Sequence, residues 1–339
     1  MRERSGGDEL MAVLVTGGAG YIGSHMVLAL VDAGDEVVVL DDLSTGFEWA
    51  VHPAARFVHG DASDGALVRA LVAEHRIDTI AHFAGRLLVD ESVADPLGYY
   101  LANAVKSRAL MEAAVAAGVP HFIFSSSAAV YGMGGREPVG EDGLLAPVSP
   151  YGRSKLMTEW MLADAARAHP MTYAVLRYFN VAGADPLGRS GQSSARATHL
   201  IKVASEAVIG KRAGLEVYGT DYPTVDGTCV RDYIHVTDLA AAHLDALRHL
   251  RGGGESRVLN CGYGRGYSVL EVIDTVKRVS GVDFPVRHTG RRPGDPAAVV
   301  AKADLIRSEI GWVPKLDDLA TIIRQALDWE RHLATRNGA

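Results

Sequence analysis

The segment Ser149-Pro150-Tyr151-Gly152-Arg153-Ser154-Lys155 sets a phenol and an ammonium four residues apart. If a helix begins after Pro150, Tyr151 and Lys155 share one face about one turn apart. A phenol titrates at about pH 10, so at neutral pH it is a poor base unless a nearby cation stabilises the phenolate. Lys155 could supply that cation. The same spacing also describes an ordinary surface tyrosine lying over a lysine stem, so the surrounding elements must decide. A further hydroxyl bears on the question: Ser125-Ser126-Ser127 follow a strand-like run over 121–124, and a Gly/Pro-rich stretch over 132–150 leads from there to Tyr151. Serines in that position also serve as turn residues or helix caps.

The elements that must position these groups alternate along the chain. Ala12-Val13-Leu14-Val15 is an apolar run of strand type, followed by Thr16-Gly17-Gly18-Ala19-Gly20-Tyr21-Ile22-Gly23, a helical pattern over 24–33 and a closing Gly34. Residues without Cβ let a backbone turn tightly and approach a pyrophosphate, whose charge then sits at the helix amino end. Val37-Val38-Val39-Leu40 reads as a second buried strand that Asp41 ends. A carboxylate about twenty residues beyond the turn suits the adenosine ribose hydroxyls and would repel a 2′-phosphate, favouring NAD over NADP. The glycine spacing is Gly-x-x-Gly-x-x-Gly rather than Gly-x-Gly-x-x-Gly.

The alternation goes on through a strand over 56–59 before Gly60-Asp61, a helix over 65–75, a strand over 79–83 before Ala84-Gly85, and a long helix over 96–117 stopped by Gly118-Val119-Pro120. It predicts an α/β fold with a doubly wound parallel sheet of Rossmann type, ligands gathering at the carboxyl ends of its strands. Asp61, Phe83, Gly85 and the three serines belong to that edge. From Tyr151 a helix extends to about residue 169, and a strand over 172–177 leads into Tyr178-Phe179-Asn180. Beyond it, 184–197 is Gly/Ser/Pro-rich and reads as a loop or lid. Val230-Arg231-Asp232-Tyr233-Ile234-His235 precedes Asp238, read as a cap, and an alanine-rich helix to about residue 250; Val258-Leu259-Asn260-Cys261-Gly262 is a short strand and turn. The expected organisation is a flexible extension over 1–10, an NAD-binding domain over 11–180 with a return segment near 230–265, and an interleaved, smaller mixed α/β substrate domain over 181–335.

Composition narrows the partners. With 339 residues and 48% hydrophobic content the chain can bury a large core, and a net charge of −7 gives no reason to expect nucleic acid or an anionic membrane. No run of about eighteen apolar residues marks a membrane span, and the polar opening residues do not form a secretory leader. The only cysteines, Cys229 and Cys261, are too few for a disulfide framework and suit a reducing cytoplasm. The histidines lack ligand spacing, so no metal is expected.

On the glycine turn, the run from Phe124 to Gly132, Tyr151 with Lys155, and Arg177-Tyr178-Phe179-Asn180, the chain resembles the extended short-chain dehydrogenase/reductase superfamily. Within it the chain is similar to the UDP-glucose 4-epimerase (UDP-galactose 4-epimerase) family. Gly219-Thr220-Asp221-Tyr222-Pro223-Thr224, Asp226-Gly227-Thr228, Arg231-Asp232-Tyr233-Ile234-His235 and Arg291-Arg292-Pro293-Gly294-Asp295 carry the likeness further. The resemblance implies reversible C4 epimerisation of UDP-glucose and UDP-galactose through a 4-keto sugar, with transient hydride transfer to tightly bound NAD. Tyr151 would be the base, Lys155 its cation and Ser127 the hydroxyl that guides the proton. It implies a UDP-sugar partner and a homodimer.

The resemblance implies NAD contacts at Gly17, Gly20, Tyr21, Ile22, Gly23 and Asp41 from the first unit. Asp61, Ala62, Phe83, Ala84 and Gly85 follow on the next strand ends, then Asn103, Ser125, Tyr151, Lys155 and Phe179. For the nucleotide sugar it implies Ser127, Tyr151, Asn180, His199 and Leu200, then Val217, Tyr218 and Arg231, and last Arg292, Asp295 and Val299. Guanidinium forks at Arg231 and Arg292 match phosphate oxygens, although either could instead form a structural ion pair, Arg231 with Asp232 or its neighbours. Tyr218 could stack on uracil or be an ordinary strand aromatic.

Some positions depart from the family pattern. Arg86-Leu87-Leu88 lacks a lysine often found there, so Arg86 either replaces that contact or it is lost. Ala102 replaces one of two frequent asparagines, and His199 stands where some members carry asparagine. Val299 stands where some carry a bulky tyrosine, which opens the reading to N-acetylated sugars, pentoses or uronates. A nucleotide-sugar dehydratase would need Asp-Glu directly after Ser127, where this chain has Ala128-Ala129. A silent NAD- or UDP-sugar-binding protein on the same scaffold is the remaining alternative.

Overall fold

The computed structural model describes residues 11–133, 138–194, 198–292 and 294–336, so the extension expected over 1–10 lies outside the described residues. Strand β1 (Ala12–Thr16) is buried at every position, as an apolar run must be when helices cover both faces of a sheet. Helix α1 (Tyr21–Ala33) starts directly after Gly20, earlier than the apolar periodicity suggests, and ends at Gly34 with φ 83°. There follow β2 (Glu36–Asp41), β3 (Arg56–His59), α2 (Gly65–His75) and β4 (Ile77–His82). The Asp64 carboxylate caps α2 by accepting the Ala66 and Leu67 N–H groups.

The single helix expected over 96–117 is composite. A separate α3 (Val89–Ala94) precedes it, α4 (Pro96–Tyr99) opens it, Tyr100–Val105 winds as π-helix, and α5 (Lys106–Ala116) completes it. Apolar periodicity cannot report such a local widening. Next come β5 (His121–Ser127), α6 (Pro150–Ala168), β6 (Thr172–Tyr178) and β7 (Asn180–Ala182).

The remaining chain gives α7 (Leu200–Val208), β8 (Leu215–Tyr218), β9 (Val230–His235), α8 (Val236–Arg251) and β10 (Arg257–Cys261). After these come β11 (Gly266–Ser268), α9 (Val269–Ser280), β12 (Val286–Thr289), β13 (Ala298–Val299), α10 (Asp304–Ile310) and α11 (Leu319–Arg336). Asp238 is not the cap of α8. His235 caps it, its ring accepting the Thr237 N–H, while the Asp238 carboxylate accepts from Lys315 N, Leu316 N and the Tyr263 hydroxyl. Asp238 lies within the first turn, where its side chain reaches another loop more easily than its own helix end.

Seven strands form one sheet in the order β10-β6-β5-β4-β1-β2-β3, with every neighbouring pair parallel. The chain leaves β1 toward β2 on one side and later returns to β4 on the other, which opens a crevice beyond the carboxyl ends of β1 and β4. One face is filled by Met26, Val27 and Leu30 of α1 with Leu239, Ala242 and Leu247 of α8. The other is filled by Val68 and Leu71 of α2, Leu110 and Met111 of α5 and Leu162 of α6. A third cluster joins α7, α9 and α11 through Ile201, Val272 and Ile323. Asn180 to Ala182 pairs in parallel with β9, and β8 pairs with β12.

Candidate active site

The glycine turn is shaped by close backbone approach. Gly17 has φ 75°, and a Cβ there would lie 2.5 Å from the Ala84 backbone nitrogen. A Cβ on Gly23 would collide with the Gly17 carbonyl. Among the described residues no side chain caps the amino end of α1, which leaves its first-turn N–H groups at Tyr21, Ile22 and Gly23 facing the turn. Asp41, at the end of β2, accepts N–H groups from Ala19 (2.9 Å) and Leu43 (2.8 Å), and burial raises its pKa. These features fit a dinucleotide: open amide donors for its diphosphate and a fixed carboxylate for a ribose. The Tyr21 hydroxyl donates to the Gly183 carbonyl at 2.7 Å, so only its amide is offered to a ligand.

Asp61 follows β3, with Ala62 half-buried beside it. Burial would raise the Asp61 pKa, yet the Lys106 ammonium at 2.6 Å and Ser63 together hold it low. Phe83 and Ala84 continue from β4 with both amides on the Thr16 carbonyl, and the Phe83 ring lies 4.8 Å from the ring of His243. A Cβ on Gly85 would come within 3.0 Å of Asn103 Oδ1. The Asn103 amide grips the Arg86 backbone, accepting its N–H at 2.8 Å and donating to its carbonyl at 2.9 Å, and it also donates to Ser154. Its side chain therefore positions the loop after β4. Arg86 turns away to Glu91 (2.7 Å) and Asp95 (2.8 Å) and lies over the Tyr99 ring, which leaves it no guanidinium free to replace a cofactor-binding lysine.

Ser149 caps α6 by accepting the Gly152 N–H at 3.1 Å, and Pro150 occupies its first turn. Helix α6 approaches so closely that a Cβ on Gly152 would lie 2.6 Å from the Ala129 carbonyl, which sets Tyr151 against the end of β5. Tyr151 and Lys155 are 8% and 6% exposed. Burial raises the phenol's pKa, and a hydrogen bond with the Ser127 hydroxyl lowers it. Lys155 Nζ donates to the Ser125 carbonyl at 2.9 Å and lies 4.9 Å from the Phe124 ring centre. Burial lowers its pKa to about 8 against the raising effect of Glu159. Lys155 thus grips the strand that carries Ser127. The Ser125 hydroxyl donates to Tyr178 at 2.9 Å, and Phe179 is buried just beyond it.

Behind the serines is a network that no local pattern announced. Ser126 donates to Glu159 at 2.5 Å, Arg177 binds both Glu159 oxygens, and Arg177 also donates to the Tyr131 hydroxyl, which donates to Asn260.

Across the crevice, Asn180, Val181, Gln192, His199 and Lys202 line a cleft that Tyr21 also reaches. His199 Nδ1 lies 3.5 Å from Gln192 Nε2, and burial lowers its pKa. Leu200, just after it, opens α7. The Arg292 guanidinium covers the Tyr218 ring at 3.7 Å, so that face is occupied by a cation. Arg231 pairs with Asp295 at 3.2 Å. The neighbouring Asp232 accepts N–H groups from Tyr263, Gly264 and Ala301, and burial raises its pKa to about 6. Val299 sits opposite Arg231 in the β13–β9 ladder. Val217 is 1% exposed within the third core cluster, so only its backbone can meet a ligand. Strand alternation turns Tyr218 outward and its neighbour in. Among the described residues no cluster of three or more His, Cys, Asp or Glu side chains could hold a metal, and no helix is long and apolar enough to cross a membrane.

The NAD dependent epimerase/dehydratase family matches residues 13–262. A UDP-glucose 4-epimerase of Azospirillum brasilense is 55% identical over 321 residues, covering 95% of this chain and 92% of its own length. The crystal structure of UDP-glucose 4-epimerase from Bifidobacterium longum in complex with NAD+ and UDP superposes with a TM-score of 0.90 at 37% identity, covering 97% of this chain and all of that one. The UDP-Glc/GlcNAc 4-epimerase from Campylobacter jejuni gives a TM-score of 0.83 at 47% identity, over 95% of this chain and 99% of that one.

Proposed function

The chain belongs to the NAD dependent epimerase/dehydratase family, and from that premise we propose that it interconverts UDP-glucose and UDP-galactose by reversible inversion at C4. The observation that carries this reading is the buried Tyr151 phenol set beside the Ser127 hydroxyl at the carboxyl end of the parallel sheet, where Ala128 and Ala129 follow the serine. Two methyl groups cannot supply the acid and base that elimination of water requires, so an oxidised sugar formed here can only be reduced again.

NAD, when bound, supplies the reversible two-electron oxidation at C4. Tyr151 Oη takes the proton of the C4 hydroxyl and later returns it, a role worth roughly a hundred to ten thousandfold in rate. Ser127 Oγ holds the sugar oxygen and relays its proton. Lys155 favours the phenolate by its charge and fixes the strand through Ser125. The N–H groups opening α1 receive the dinucleotide diphosphate, and Asp41 receives a ribose. On the UDP-sugar side we place Asn180, His199, Leu200, Tyr218, Arg231, Arg292, Asp295 and the Val217 backbone. Residues 11–180 with β10 serve NAD, and most of 181–335 serves the nucleotide sugar.

Val299 leaves a small side chain beside Arg231 and favours tolerance of a bulkier sugar, as the name of the Campylobacter jejuni relative states for that enzyme. Incubation with UDP-galactose, UDP-N-acetylgalactosamine, UDP-arabinose and a UDP-uronate, followed by NMR, tests both parts. Inversion of UDP-galactose is expected, with the N-acetylated sugar also turned over. Exclusive turnover of a pentose or uronate would reassign the substrate.

We also propose a cytoplasmic homodimer. The two buried, unpaired cysteines suit a reducing compartment. Leu97, Leu101 and Val105 are 78%, 55% and 53% exposed at helical spacing, with Met157 and Trp160 exposed on neighbouring α6. A second copy of this apolar face would cover it by two-fold symmetry. Light scattering should give a dimer for the natural chain and a monomer for Leu101→Glu/Trp160→Glu; a monomeric natural chain would remove the proposal.

A further inference from the structure

The wall of the UDP-sugar cleft is held from behind by a residue that does not line it. Trp329, on α11, is 4% exposed, and its indole N–H donates to Ser193 Oγ at 3.2 Å. The ring fills the space where a side chain at position 191 would project, since a Cβ on Gly191 would collide with it. Between those two contacts stands Gln192, which lines the cleft and meets His199. The Ser193 hydroxyl in turn donates to the Gly191 carbonyl at 3.0 Å, closing the turn.

The ring is itself braced toward the cofactor side. Trp49 lies 6.2 Å from Trp329 and 5.2 Å from Phe47, and the Phe47 N–H donates to the Ala19 carbonyl in the glycine turn. The same loop is fixed to α1 by Ser24 with Ser190 at 2.7 Å and by Arg189, which pairs with Asp32 and Asp185 at 2.9 Å.

We propose that Trp329 is a positioning residue for the UDP-sugar cleft: it clamps residues 191 and 193 so that Gln192, and through it His199, face the substrate. The proposal rests on the reading of the Asn180–His199 wall as the UDP-sugar side. A large aromatic ring with its one polar atom bound at 193 and its face on 191 fixes the intervening residue more tightly than apolar packing alone. Its loss therefore acts on binding and spares the chemistry at Tyr151.

Trp329→Phe keeps an aromatic side chain but removes the indole N–H together with the five-membered ring's bulk, and should raise KM for UDP-galactose and Kd for UDP by roughly three to tenfold, with kcat within about twofold. Gly191→Ala retains the Trp329 side chain but forces its ring to move, and should raise both constants roughly tenfold or more. Thermal unfolding and bound NAD content are measured alongside. Unchanged KM and Kd in both folded variants, or a fall in kcat without a change in KM, would overturn the proposal. UDP binding by calorimetry needs no turnover, so failure of the natural chain to invert UDP-galactose would count against the proposed function and not against the clamp.

Discussion

Tyr151→Phe should reduce turnover by about a thousandfold or more while leaving NAD and UDP bound. The substitution removes one oxygen from a side chain already 8% exposed, so the volume is kept and no cavity opens to disturb the end of α6. Ser127 remains, but an aliphatic hydroxyl has too high a pKa to take its place, and Lys155 is bonded to the Ser125 carbonyl. The phenol is buried, and burial raises its pKa in the chain alone. Its deprotonated form therefore depends on positive charge brought to it, from Lys155 and from oxidised nicotinamide. Cofactor absorbance, UDP calorimetry and turnover measured on the same preparation check the prediction. Near-normal turnover would remove Tyr151 as the base.

Arg177→Met should destabilise the chain by about 3–5 kcal/mol, because it strands the Glu159 carboxylate in the interior. The two side chains are 5% and 4% exposed and meet at 2.6 Å, with Ser126 donating to the same carboxylate. The charge left behind sits one turn from Lys155 on α6 and against Ser126, the residue before Ser127, so activity should fall with stability. Replacing both partners, as Arg177→Met/Glu159→Leu, removes the stranded charge and should recover most of the lost stability, though not the Ser126 bond. Chemical unfolding of the three proteins decides it. A double variant no more stable than the single one would show that the pair's desolvation is not what governs this region.

Much of this was legible because it is local. The Gly17 turn, the alternation of strand and helix, the serines ending β5 and the Tyr151/Lys155 spacing are each written within a few residues. What escaped was written across long separations: Lys106 with Asp61, Arg177 with Glu159, Trp329 with Gly191. No periodicity reports such a pair, since each partner alone looks like an ordinary helix or strand residue. Arg231 shows the same limit: its sequence neighbour Asp232 turns inward to three backbone amides, and its true partner is Asp295, brought beside it by β13. The burial of Val217 beside an outward Tyr218 was available from strand alternation. The π-helical turn at Tyr100–Val105 was not, because it accompanies the reach of Asn103 to the Arg86 backbone.

The most direct test of C4 inversion uses UDP-galactose carrying deuterium at C4, the purified chain with its bound NAD and no added cofactor, followed by NMR. The expected result is UDP-glucose with the deuterium still on C4, because the hydrogen leaves and returns within one closed site. Failure to convert by NAD-loaded protein, or a 4-keto-6-deoxy product, would contradict the account.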